Sequence, residues 1–446
     1  MKYVFQLIYL LFLTNPIVQA APFVVKVVDP ESGRGIPLVE LETIHHQTFV
    51  TDNAGVVAID SPELMEQEVY LRIRSHGYEF PEDRFGFRGR RFVITPGGNE
   101  EIKLKRINLA ERLYRITGGG TFSESVNAGH SIPESRWKLK ARAMGSDSAH
   151  TAVFKDRIFW IWGDTKRVGY PLGNFHTTAA TSSLKDDPAS YIDLDYIKDE
   201  NGFTKQVANF PGKGPTWLDA LVTLIDEGGR ERLVASYVKI EPPLTVYERG
   251  LCEFDSEKEQ FVPILKVPLK DKAFPEGHPF RHKGRLYFGN GTPNLVMDDS
   301  FEAWSDPARW ESIKPTEKLS DVDSGKTVKV HRGAVSRNEY RKKWAFIFTE
   351  IGGEASALGE IWYGESESPT GPWSKAIKVV THNQYSFYNP FQHPVYSNAS
   401  KGRYLYFEGT YTKEFSGNPV PTPRYDYNQI MYRIDLADTR FELLAR

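Results

Sequence analysis

Five times along this 446-residue chain, two short β-prone runs flank a tight polar turn: at 147–164, 217–237, 277–290, 331–350 and 389–409. Counted from Asp147, Asp219, His278, His331 and Asn389, the steps are 72, 59, 53 and 58 residues. A lone hairpin cannot bury both of its faces, so hairpins recurring at such a period must stack on one another, as they do in a radial repeat. Each unit reads as the inner half of a four-stranded blade. The runs I-W-Y-G-E-S after the fourth hairpin and Q-I-M-Y-R-I-D-L after the fifth supply outer strands. The expected fold is all-β, a five-bladed β-propeller preceded by a small β-sandwich; the period disfavours a jelly roll. Aromatic residues at 13%, with 36 Gly and 28 Pro, suit many short strands and tight turns rather than helices.

Four segments are expected. Residues 1–20 combine Lys2, an apolar run, a proline break and a small-residue end at Ala20, the pattern of a cleaved secretory signal. Residues 21–106 alternate strands and turns at the spacing of an accessory β-sandwich. Residues 107–120 form a linker, with a short helical turn over 108–115 and the flexible Gly118-Gly119-Gly120, and 121–446 is the propeller. A secreted or periplasmic protein without stable membrane insertion follows. Its single cysteine, Cys252, cannot form an internal disulfide and reads as a small buried hydrophobe. A net charge of -2 gives no sign of an extended basic surface, so no nucleic-acid partner is expected.

The chemistry centres on S-D-S-A-H-T-A-V-F-K-D-R-I-F-W-I-W-G-D-T-K, residues 146–166. If Lys155-Asp156 is the whole turn, cross-strand partners have numbers summing to 311, and Asp147 with Asp164 satisfies this. Two carboxylates then face each other at one end of a hairpin, where mutual repulsion can keep one protonated while the other is ionised. The other strand starts are also polar. Asp219, His278, His331 with Arg332, and Asn389 with His393 would line a channel open to a polar ligand, and the many Trp and Tyr can stack on sugar faces. Glu350, Glu360 and Glu408 are further carboxylates at strand ends, with Glu360 and Glu408 assigned to substrate binding. The three histidines lack any short ligand spacing, so hydrogen bonding is preferred to a metal site, and no cofactor is implied. Arg332 suits either a carboxylate of an acidic sugar or an aromatic face.

The phrase A-M-G-S-D-S-A-H-T-A-V-F-K-D-R-I-F-W-I-W-G-D-T resembles the opening blade of the domain of unknown function 4185, grouped with family 183 glycoside hydrolases. G-E-I-W-Y-G-E-S-E-S-P-T-G-P-W-S-K-A-I-K-V-V is similar to a blade strand of family 43 and 32 propeller hydrolases. The resemblance spans 120–446, and its specific part is the G-D-T hairpin; His-Arg-Gly at 331–333 and N-P-F-Q-H-P at 389–394 depart from it. G-R-G-I-P-L-V-E-L-E-T and T-D-N-A-G-V-V-A-I resemble the carboxypeptidase-regulatory or transthyretin-like sandwich. The first resemblance implies that Asp147 and Asp164 are the catalytic pair of an arabinan-type polysaccharide hydrolase, with Asp147 taken as base and Asp164 as acid. A non-catalytic carbohydrate-binding propeller, and a polysaccharide lyase using His331 and Arg332, stay open as alternatives.

Overall fold

The computed structural model describes residues 21–271, 273–397 and 400–445. The expected signal at 1–20 lies outside them, and among the described residues no helix is long and apolar enough to cross a membrane.

Two sheets built from residues 23–103 face each other. In one, Phe23–Val28 runs between Val56–Ile59 and Asn99–Lys103; in the other the order is Thr48–Val50, Glu40–Thr43, Glu68–Arg74, Gly89–Val93. Alternation puts Val25, Val27, Leu41, Leu71, Ile73, Phe92 and Ile102 into one closed core, so this is a sandwich.

Five sheets follow, each opening with one of the expected hairpins. Blade 1 is His150–Phe154, Arg157–Trp162, Thr178–Ser183 and Asp195–Tyr196; blade 2 is Thr216–Ile225, Glu231–Glu241, Thr245–Asp255 and Gln260–Lys266. Blade 3 is Phe280–His282, Arg285–Phe288, Leu295–Asp298 and Glu311–Ser312. Blade 4 is Thr327–Asn338, Lys343–Glu350, Ile361–Ser366 and Lys375–Val380, with Lys318–Asp321 bridging its first and last strands. The chain is an all-β, five-bladed propeller. The second strands of blades 1, 2, 4 and 5 lack the alternation of a half-exposed strand because neighbouring blades cover both of their faces: in R-I-F-W-I-W every residue after Arg157 is buried, with Trp160 and Trp162 at 0% and 1% exposure. The first hairpin has the expected register, His150 opposite Ile161 through Phe154 opposite Arg157. Its turn residues take φ 48° at Lys155 and 58° at Asp156, as a two-residue type I′ turn requires.

Blade 5 holds Ser386–Gln392, Tyr404–Thr412 and Asn428–Asp435, and takes its fourth strand from far upstream: Glu111–Arg115 pairs with Asn428–Asp435, Arg112 opposite Tyr432. The helical turn expected over 108–115 is therefore a strand. N-L-A-E-R-L-Y-R has helix-forming residues, but burial of all five strand residues and pairing with the last blade override local propensity. The same strand clasps the sandwich. The Arg112 guanidinium donates to the carbonyls of Pro37 and His76, and Asn53 exchanges two hydrogen bonds with the Arg115 backbone, at 3.0 and 2.9 Å. Asn53→Ala strips both partners from a buried backbone unit and is expected to cost about 1–3 kcal/mol. A lowered denaturation midpoint for the propeller signal checks this; an unchanged midpoint would mean that the sandwich contributes nothing to ring closure.

Candidate functional site

Blades 1, 2, 4 and 5 and the chain entering blade 3 contribute to one cavity of about 460 Å³ at the strand starts, inside the roughly 300–1,000 Å³ span of small-ligand sites. Polar groups share the lining with Val238, Ile240, Leu244, Val246 and Phe274. A larger hollow of about 720 Å³, between Glu134 and Tyr196 on the outer part of blade 1, holds none of the expected site residues.

Asp147 and Asp164 sit where the hairpin register puts them. The Asp147 amide donates to the Asp164 carbonyl at 3.0 Å, and the Gly163 amide donates to the Asp147 carbonyl at 2.8 Å. Their side chains converge on one hydroxyl: Tyr427 Oη lies 3.0 Å from Asp147 Oδ2 and 3.4 Å from Asp164 Oδ2. Those two oxygens can be no farther apart than the sum of these distances, well inside the about 10 Å beyond which two carboxyls stop acting together on a glycosidic bond.

Their surroundings differ. Asp147 Oδ1 accepts from Ser148 Oγ at 2.5 Å and Thr410 Oγ1 at 3.0 Å, and with Tyr427 on Oδ2 it has acceptor work only, the role of a carboxylate. Asp164 Oδ1 accepts from Trp217 Nε1 at 3.1 Å. Burial, then the adjacent Asp147 charge, pushes the Asp164 carboxyl up to about 7 against the lowering effect of hydrogen bonds from Trp217 and Tyr427. The Tyr427 phenol is held far above its ordinary range by burial and by the two carboxyls, so it keeps its proton. A phenol has one proton to give; directed at Asp147, it leaves its oxygen to accept from a protonated Asp164.

The backbone is irregular at these positions. Ser148, Ala220 and Asn389 have φ of 48°, 52° and 51°, and the ladders slip between Asp219 and Val222, Val330 and Gly333, and Tyr388 and Phe391. Positive φ at a residue with a Cβ costs on the order of 1–3 kcal/mol, and bulges re-aim side chains. Four of the five blades carry such a break where the chain reaches the cavity.

Of the other expected site residues, Asp219, Arg332 and Asn389 line the cavity. Asp219 Oδ1 accepts from the amides of Ala220 and Gly277, tying blade 2 to the chain entering blade 3. Asn389 Nδ2 donates to Ser148 Oγ at 2.6 Å, extending the chain that ends on Asp147. His278, His331, Glu360, His393 and Glu408 do not line it. Glu360 and Glu408 do not stand on first strands: Glu360 precedes the third strand of blade 4 and is buried against Lys378 at 2.8 Å and Thr381 at 2.7 Å, while Glu408 lies on the second strand of blade 5. Glu408 pairs with His393, which follows the end of its strand, at 3.0 Å, and neither side chain is exposed. His278 is stacked between His150 and Phe391, at 4.5 and 4.4 Å, as a buried floor held neutral by desolvation. His331 adjoins Arg332, and successive strand residues face opposite sides. Glu350, the remaining rival, accepts from Trp362 Nε1 at 2.9 Å.

Ser148, His150, Trp217, Glu276, Tyr388, Phe415 and Tyr427 were not anticipated. Trp217 could have been found, since it stands two residues before Asp219 on a strand of period two. Tyr427 had no such signal: it precedes the last strand, in the loop Y-D-Y-N.

No protein-family model matches the chain, and no curated protein matches it. Among solved structures it is similar to an exo-β-1,3-galactanase from Phanerochaete chrysosporium with galactose, at 9% identity over 72% of this chain and 64% of that one, TM-score 0.40. It is also similar to an enzyme from Xanthomonas citri complexed with xylotriose, at 9% identity over 65% and 86%, TM-score 0.36. A third is an endo-1,5-α-L-arabinanase from Thermotoga petrophila, at 11% identity over 65% and 70%, TM-score 0.36. The chain thus spans under two thirds of the length of the first of these. The fold assignment rests on the strand pairing described above.

Proposed function

We propose that the protein is a secreted glycoside hydrolase acting on a polysaccharide, with Asp164 as general acid and Asp147 as the ionised partner that activates water or attacks the anomeric carbon. The observation that carries this is the pair of carboxyls meeting at Tyr427, one raised to about 7 and the other served by three hydroxyl donors. Hydrolysis needs that division of labour: a protonated oxygen for the leaving group and a charged one for the other face of the sugar. The apolar residues of the lining supply area for the ring's C–H face. The resemblance of the G-D-T hairpin to family 183 hydrolases supports the same two residues, and the apolar start of the chain supports secretion.

The test is a screen of plant, algal and mycobacterial polysaccharides with product analysis. New reducing ends without unsaturation are expected, and an Asp147→Asn, Asp164→Asn double variant should produce none. Ultraviolet-absorbing unsaturated products would replace hydrolysis by elimination, and binding without cleavage would leave a sugar-binding propeller.

A further inference from the structure

Among the described residues, the cavity holds one cation without a hydrogen-bonding or ion-pair partner. Arg332 lines it, yet among the described residues its guanidinium has no hydrogen bond, no carboxylate within 4.0 Å and no aromatic ring beneath it. His150 and Glu276 share the cavity lining with it. Partly buried arginines ordinarily end in a bidentate pair with a carboxylate, because the planar fork matches that geometry and desolvation without a partner is costly.

Four carboxylates share the lining, each with other partners, and none lies within 4.0 Å of the Arg332 guanidinium nitrogens. Asp219 Oδ1 accepts from two backbone amides, at 2.7 and 2.8 Å, with His150 Nε2 at 3.4 Å. Glu276 Oε2 accepts from Asn290 Nδ2 at 2.8 Å. Asp147 holds three hydroxyls, and Asp164 holds Trp217.

The backbone fixes where Arg332 stands. The first strand of blade 4 leaves its ladder between Val330 and Gly333, and the Gly333 amide donates to Asn290 O at 2.8 Å. A Cβ at Gly333 would lie 2.2 Å from Ile347 O, so this close approach needs glycine. The bulge therefore turns Arg332 out of the strand at the one height where the cavity lies.

We infer that Arg332 receives the carboxylate of a uronic acid residue, so that the substrate is an acidic polysaccharide bound with one uronate in the same cavity as the carboxyl pair. The inference rests on the hydrolase reading for its account of the cavity, but it concerns binding. A sugar carrying a planar carboxylate gives the fork its missing partner. A neutral sugar offers the fork no planar charged partner.

The experiment reads affinity on the full chain carrying Asp147→Asn, so turnover plays no part. Oligomers of galacturonate, of alginate, of hyaluronan and of glucuronoxylan are titrated calorimetrically, each beside its carboxyl-reduced neutral form. At least one acidic oligomer is expected to bind at least ten times tighter than its reduced form. Adding Arg332→Gln should remove that preference while the affinity for the reduced form stays the same. Among the described residues Arg332 has no hydrogen bond or ion pair for the substitution to break, so an unchanged thermal midpoint is expected. Equal affinity for acidic and reduced forms, binding of neutral oligomers alone, binding of none, or an equal loss for both forms in Arg332→Gln each overturns the inference. Failure of the hydrolase reading would appear separately, as an absence of cleavage by the unsubstituted protein.

Discussion

Asp147→Asn is expected to lower hydrolysis by at least about 10²–10⁴-fold, the usual contribution of a positioned acid–base group, while leaving the fold intact. The amide is nearly isosteric. Its oxygen can still accept from Ser148 and Thr410, and its nitrogen can donate to Tyr427 Oη, which then turns its own proton to Asp164. What disappears is the charge that accepts a proton from water or attacks carbon, and also the repulsion that helps hold the Asp164 proton. Release of reducing ends, measured beside the thermal midpoint, separates the two effects. Near-normal activity with a normal midpoint would remove Asp147 from the chemistry.

Asp164→Asn should behave differently. As proton donor to the leaving oxygen, Asp164 matters most for poor leaving groups, so the variant is expected to fail on polysaccharide yet turn over a dinitrophenyl glycoside of the same sugar. In the unsubstituted protein, activity on polysaccharide should fall as pH rises through about 7, where the acid loses its proton. That limb should be absent from the variant. The sign for stability follows from the same shift. The folded-state value lies above the ordinary 3.8, so the folded protein binds the proton more tightly and loses stability as pH climbs from about 4 to about 7. Asn carries no such charge, so the variant should be more stable than its parent above pH 7 and show little difference near pH 4. A parent whose unfolding midpoint relative to the variant is flat across this window would contradict a buried, raised Asp164.

The legible parts of this protein were those in which local chemistry fixes geometry. A two-residue turn sets the register of the first hairpin, so the pairing of Asp147 with Asp164 could be counted out from Lys155 and Asp156. The five-fold recurrence needed only the spacing of turns. Height along the channel was not legible, since it depends on bulges such as those at Asp219 and Asn389, and a slip of one residue exchanges the side chains that face the cavity. His393, past the slip at Asn389, was thus expected among the lining residues and instead forms a closed pair with Glu408 of the second strand. Tyr427 and Thr410 reach Asp147 from the last blade, a contact across almost the whole ring that no local pattern encodes.

The strand at Glu111–Arg115 has a consequence for the order of assembly. It is synthesised before any blade, but its partner, Asn428–Asp435, comes last. During synthesis that strand offers an open edge that could recruit a wrong neighbour, while the sandwich, already made, can hold it through Asn53 and through the Pro37 carbonyl at Arg112. The sandwich then serves as a cradle for an unfinished ring, and the slowest step of folding should be the arrival of the fifth blade at a strand that has waited for it.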